Sequence, residues 1–143
     1  MPKKSPSSLG IGANLNHWSD ADFTLGGQMV GFYKDIRETV QQGRLYRLFS
    51  PREGTLTANQ YVSEDGRQAV LFAFLQAQQL LRPVPGVRLR GLDPEAVYRI
   101  RTIDGKLADS RETITGAALM NRGVTLRLGG DFDSTMVIFD RVE

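Results

Sequence analysis

The stretch ANQYVSEDGRQAVLFAFL, residues 58–75, decides the fold class of this 143-residue chain. Two strand-like runs flank an Asp65-Gly66 pair, which readily takes the positive φ angles of a type I′ turn. The pattern therefore predicts an antiparallel β-hairpin. The second run, residues 68–75, is apolar on both faces, so we expect it to lie centrally in a sheet with neither face in water.

A period of two continues along most of the chain after Gly43 and predicts about seven short strands. They are residues 44–50, 58–63, 68–75, 87–90, 96–101, 124–128 and 134–142. A second hairpin turn is predicted at IDGK, residues 103–106. Short strands joined by hairpins favour an antiparallel β-sandwich over a wound α/β sheet.

The two faces of each strand predict its place in the sandwich. In the strand over residues 134–142, the TMVIF stretch of residues 135–139 repeats the two-faced pattern of residues 68–75, so this strand should also be central. Residues 96–101 and 124–128 are apolar on one face only, and we expect the other face to be exposed to solvent. That wet face carries Arg99, Arg101 and Arg127.

One long helix is predicted before the strands, over residues 20–42. Its apolar side chains recur at three- and four-residue steps, as a helix face requires. They are Phe23, Val30, Tyr33, Ile36 and Val40. Ser19 is the predicted N-cap, with Asp22 completing a capping box, and Gly43 ends the helix. Gly26 and Gly27 either weaken the helix or let another group approach it closely.

The only histidine and the only tryptophan, His17 and Trp18, stand directly before this helix with Asp20 and Asp22 after them. Two acids in a first turn complement the helix dipole, which accounts for both without any chemistry. A metal-ligand role for His17 would rest on carboxylates alone. Trp18 is either a hydrophobic staple or a platform for a sugar, and we favour the staple. We therefore assign no catalytic, cofactor-binding or metal-binding residue and expect no cofactor.

The composition limits the classes of partner that we expect for this chain. A net charge of +2 with no basic stripe gives little support for nucleic-acid binding. Membrane insertion is not expected, because no apolar run approaches the ~20 residues of a spanning helix. The chain has no cysteine, and with no signal peptide apparent we favour the cytoplasm while leaving the location open. Residues 1–8, MPKKSPSS, are interpreted as a flexible lead-in.

The order of segments resembles the C-terminal end of α-galactosidases of glycoside hydrolase family 36. The segments that carry the resemblance are LGIGANLNHWSDADFTLGGQMVGFYKDIRETVQQGRLYRLFSP, NQYVSEDGRQAVLFAF, RLRGLDPEAVYRI and TGAALMNRGVTLRL. The resemblance implies that residues 9–43 are the last strand and helix of a (β/α)8 barrel and that residues 44–143 form a C-terminal antiparallel β-sandwich. In the family, the aspartate nucleophile and the aspartate acid/base lie on earlier barrel strands, outside this chain.

Two functions are therefore considered. In the first, the chain is the C-terminal fragment of a retaining α-galactosidase-like hydrolase, its sandwich buttresses a barrel absent from the chain, and α-galactosides are met only by the parent enzyme. In the second, it is a stand-alone carbohydrate-binding or interaction module. Coplanar exposed aromatics would favour the second and buried ones the first; the candidates are Trp18, Tyr46 and Tyr61. With the barrel absent, the apolar helix face predicts a homo-oligomer.

Overall fold

The computed structural model describes residues 12–142 and contains one six-stranded antiparallel sheet in the order β1-β2-β3-β6-β4-β5. A helix, α1, precedes the sheet, and a short helix, α2, lies between β5 and β6. The elements are α1 Asp20–Gln42, β1 Arg44–Phe49, β2 Leu56–Val62, β3 Gln68–Leu75, β4 Val97–Thr102, β5 Thr113–Thr115, α2 Gly116–Asn121 and β6 Asp133–Val142. The mainly β fold class with one long helix is confirmed, with six strands in place of seven or eight.

The hairpin expected from residues 58–75 is present. β2 and β3 pair antiparallel along their whole length, from Leu56 opposite Leu75 to Val62 opposite Ala69. Gly66 takes φ of 72°, as predicted, but Asp65 does not have a positive φ, so the turn is not of type I′. The order of strands also places β3 and β6 side by side in the centre, which confirms the prediction from their apolar faces.

The first face of the sheet is covered by extended segments rather than by a second regular sheet. Tyr98, Leu71 and Phe139 are fully buried beneath this layer. Gln60 ties the layer to β2, because its amide donates to the Arg90 carbonyl at 2.7 Å and accepts from the Arg90 N–H at 2.8 Å. The buried Gln60 side chain therefore leaves no unsatisfied polar group.

Three predicted features of this layer need correction. Residues 87–90 and 124–128 are not ladder strands, since they pair only through isolated bridges, Val87 with Val124 and Leu126 with Leu107. The IDGK segment turns, with Gly105 at φ of 66°, but does not join two hairpin strands. β4 pairs instead with the short β5, which was not predicted. The wet face of β4 is confirmed at the exposed Arg99.

Helix α1 covers the second face of the central strands and has the predicted bounds. Ile36 is buried against Val70 of β3 and Ile138 of β6. The predicted capping box is confirmed: the Ser19 side chain accepts from the Asp22 N–H, and the Asp22 carboxylate accepts from the Ser19 N–H.

A chain of side-chain hydrogen bonds joins α1 to the sheet. The Thr39 hydroxyl donates to Gln68 Oε1, and the Gln68 amide donates to Asp140 Oδ1 at 2.9 Å. Arg101 Nε donates to Asp140 Oδ2 at 2.6 Å, and Arg101 Nη1 donates to Asp35 Oδ2 at 3.2 Å. We call these five residues the helix clasp. It holds α1 at two points one turn apart.

The predictions for the start of the chain fall mostly outside the described residues. These are the flexible lead-in, residues 1–8, and residues 9–11 of the barrel-like strand predicted over residues 9–15. The described part of that strand is not extended sheet, because Leu15–His17 form a 3₁₀ turn. The domain boundary between residues 43 and 44 stays a prediction.

Candidate interaction surface

The candidate residues before α1 form a helix start rather than an active site. His17 is exposed on the 3₁₀ turn, and Asp20 is exposed in the first helical turn. The Ser19 hydroxyl donates to Asp22 Oδ2 at 2.7 Å, and this hydrogen bond lowers the pKa of the Asp22 carboxyl from its usual value near 3.8. Within residues 12–142, no three His, Cys, Asp or Glu side chains cluster as metal ligands would.

Trp18 acts as the predicted staple. It stands one residue before the N-cap and meets Phe23 edge to face, with ring centroids 5.3 Å apart. This is the contact between positions N′ and N4 that fixes the entry angle of a chain into a helix. Gly26 makes room for it, because a Cβ atom there would lie 2.7 Å from the indole ring.

The candidate sugar-binding aromatics do not form a platform. Tyr46 lies opposite Gln60 on the core side of the sheet, where its hydroxyl approaches Gly91 closely. Tyr61 points to the other side and meets Phe72 edge to face at 5.9 Å. Trp18, Tyr46 and Tyr61 are all partly buried, and each belongs to a different local cluster.

A groove of roughly 700 Å³ runs between α1, from Met29 to Val40, and the sheet. We call it the α1 groove. Its helix wall is Met29, Tyr33, Ile36 and Val40, and its sheet wall includes Thr57, Asn59, Phe72, Phe74, Ser134 and Met136. Most of these side chains are apolar, so the groove suits a protein surface better than a charged ligand.

One end of the groove is closed by charged groups. Asp104 is in the wall and accepts from the Thr135 hydroxyl at 2.8 Å. Lys106 lies 3.8 Å from the Asp104 carboxylate and donates to Asp133. The hydrogen bond from Lys106 lowers the pKa of the Asp133 carboxyl. These contacts fix the loop after β4 against β6.

The two halves of α1 differ in how they are covered. Thr39 and Ile36, in the C-terminal half, are buried on the sheet, whereas Phe23, Leu25 and Met29 are 50%, 54% and 45% exposed. Phe74, beside the groove on β3, is 42% exposed. Sequence reasoning identified Phe23 as a face residue but missed Leu25 and Met29, which lie on a second apolar line (25, 29, 32, 36) beside the predicted face.

This architecture defines a class of protein, a β-sheet domain with one long helix that is covered on one side only. No helix in the described part of the chain has the length and apolar character to cross a bilayer. The family model of the glycosyl hydrolase family 36 C-terminal domain matches residues 56–139. The chain belongs to glycosyl hydrolase family 36 and corresponds to the C-terminal region of its large enzymes.

Individual relatives agree with this assignment. Alpha-galactosidase C of Emericella nidulans is 39% identical over 114 residues, covering 80% of this chain and 14% of the relative. Alpha-galactosidase AgaA of Geobacillus stearothermophilus is 32% identical over 130 residues, covering 90% of this chain and 17% of the relative. The crystal structure of AgaB from the same species has a TM-score of 0.76 at 33% identity, covering 90% of this chain and 17% of that chain. The chain thus spans less than a fifth of these enzymes.

Proposed function

We propose that this chain is the C-terminal part of a retaining α-galactosidase-like glycoside hydrolase and buttresses a catalytic barrel that it does not itself contain. In this proposal residues 9–43, with α1, belong to the last βα unit of that barrel, and residues 44–143 belong to the C-terminal β domain. The substrates are α-galactosides, and the barrel, rather than this chain, holds the catalytic aspartates. The coverage of less than a fifth of each named relative supports this division of roles.

The one-sided cover of α1 is the observation that carries the proposal. A helix built only for this sheet would bury its apolar side chains along its whole length. Here Met29 and Leu25 are about half exposed although Ile36, two turns on, is buried. The exposed half has the apolar character and length to lie against a barrel wall, and the α1 groove admits side chains from that wall.

The arrangement of aromatics gives the alternative, a stand-alone carbohydrate-binding module, less support. Sugar-binding surfaces present aromatic faces together, whereas Tyr46 and Tyr61 lie on opposite sides of the sheet. We therefore retain structural support of the catalytic barrel as the proposed function.

The test is a chimera in which residues 12–142 replace the matching C-terminal region of Geobacillus stearothermophilus AgaB. We expect the chimera to hydrolyse an aryl α-galactoside and the 143-residue chain alone to show no turnover. The substitution Met29→Asp should lower the activity of the chimera about tenfold by placing an unpaired carboxylate in the interface. Gln28→Asp is the matched control, since Gln28 is an exposed polar neighbour on the same helix.

Three results contradict the proposal. They are an inactive chimera, equal effects of Met29→Asp and Gln28→Asp, and turnover by the purified chain that disappears when Asp20 or Asp22 is replaced.

A further inference from the structure

Large hydrophobic side chains that remain exposed are concentrated at one end of the sheet. Leu75 of β3 pairs there with Leu56 and with Asp133, and we call it the Leu75 end. The N-terminal half of α1 lies toward this end, because Thr39 bonds Gln68 at the opposite end. The exposed residues on this half of α1, on β3 and on the nearby loops are Phe23, Leu25, Met29, Phe74, Leu80, Leu81 and Phe132, whereas Val97 lies at the other end.

Three of these residues lie on two loops that hydrogen bonds join into one unit. Residues 76–83 follow β3, and residues 129–132 precede β6. The Gln78 N–H donates to Asp131 Oδ1 at 3.0 Å, and the Gly130 N–H donates to Gln78 Oε1. The Phe132 N–H donates to the Gln76 carbonyl at 3.3 Å. We call this unit, which carries Leu80, Leu81 and Phe132, the loop platform.

The platform carries apolar side chains at positions where they bury no surface and so add no stability to an isolated domain. Leu80 and Leu81 are 90% and 94% exposed, and Phe132 is 72% exposed. Leu81 and Phe132 both have φ of 61°, a left-handed backbone in which a side chain is unfavourable and glycine is preferred. Backbone strain of this kind clusters at functional sites, so its presence at two exposed apolar residues is a ground for seeking a function here.

We infer that the loop platform is a second docking surface for the catalytic barrel, beside the exposed half of α1. The inference rests on the proposed function. We identify the partner of this surface from the direction of the chain. Residues 12–19 lead into the N-terminal end of α1. A preceding domain therefore approaches the Leu75 end, where the platform lies next to the α1 groove through Phe74.

The experiment compares the isolated 143-residue chain with the AgaB chimera. The variant combines Leu80→Ser, Leu81→Gly and Phe132→Gly, and the control is Val97→Thr at the opposite end. We expect the variant to leave the melting temperature of the isolated chain unchanged or higher, because glycine relieves the left-handed backbone. In the chimera, the same variant should shorten the half-life of activity on heating about tenfold. Val97→Thr should change neither quantity.

The possible failures are distinguishable. An unmodified chimera without activity overturns the proposed function and the platform with it. An active chimera whose half-life responds to Met29→Asp but not to the platform variant overturns the platform alone. An equal loss of stability in the isolated chain and in the chimera gives these loops a purely internal role and also overturns the platform.

Discussion

Trp18 shows how one residue connects the sequence pattern to the packing. Its ring lies against Phe23 and over Gly26, so a glycine that is unfavourable inside a helix is used where the indole approaches. The stapling prediction was possible because the N′ and N4 positions are close in sequence. The sequence did not show which group approaches Gly26, because that depends on the direction in which the Trp18 side chain points.

The adjacent glycines of α1 give a matched test of this role. A Cβ atom at Gly27 would meet nothing within 4 Å, whereas one at Gly26 would lie 2.7 Å from Trp18. Gly27→Ala should therefore stabilise the fold by up to ~1 kcal/mol through helix propensity. Gly26→Ala should gain less or destabilise, as it displaces the staple. Thermal unfolding followed by circular dichroism measures both, and equal gains would contradict the staple.

The capping box gives a prediction about pH. The pKa of Asp22 lies below its usual value near 3.8, because the carboxylate accepts hydrogen bonds from Ser19. Its stabilising contribution is therefore complete above pH about 4 and is lost as the pH falls through the lowered pKa. We expect Asp22→Asn to reduce the melting temperature at pH 6 and to make a much smaller difference near pH 2.5. A constant difference across this range would show that the charge has no part in the cap.

At the scale of elements, the parts of the fold set by local signals were predictable. The bounds of α1 follow from Ser19 and Gly43, and those of β3 follow from the turn at Gly66. The layer over the core face was not predictable in the same way. Residues 124–128 alternate like a strand, but only their distant partners decide whether a ladder forms, and here two isolated bridges, to Val87 and to Leu107, take its place.

The helix clasp is the elemental feature that sets where α1 lies on the sheet. Arg101→Leu should lower the free energy of unfolding by about 1 kcal/mol, a modest value because the Arg101 side chain is 35% exposed. It should also broaden the distance between spin labels at Gln28 and Glu112, which can be attached through introduced cysteines since the chain has none. Arg99→Leu, on the same face of β4, is the control. Equal changes in stability and in the distance distribution for the two variants would show that the helix clasp does not set the position of α1.

At the scale of the whole molecule, the Leu75 end is the surface that sequence reasoning did not find. Each exposed residue is unremarkable in the chain, and only the strand order brings helix, sheet and loops to one end. The expectation of a homo-oligomer stays a prediction, and this surface is the candidate interface between the subunits.

We expect the isolated chain to self-associate through the α1 groove, most simply as a twofold dimer that uses the same patch on both subunits. Light scattering at micromolar concentration measures the mass. Met29→Asp should shift the equilibrium toward monomer, while Gln28→Asp should not. A strict monomer before any substitution would contradict the prediction.

The central position of β6 has a consequence for how the chain is made. β6 is the last strand within residues 12–142, yet it pairs with β3 on one side and β4 on the other, and its Asp140 anchors the clasp of α1. During synthesis, every earlier strand leaves the ribosome before the one that joins the two halves of the sheet. The β1–β3 half and α1 must therefore wait with apolar surface uncovered, and such intermediates favour aggregation and chaperone capture. A nonsense codon or frameshift near residue 132 would remove β6 and leave that half permanently open, so such a truncation should yield protein that the cell degrades.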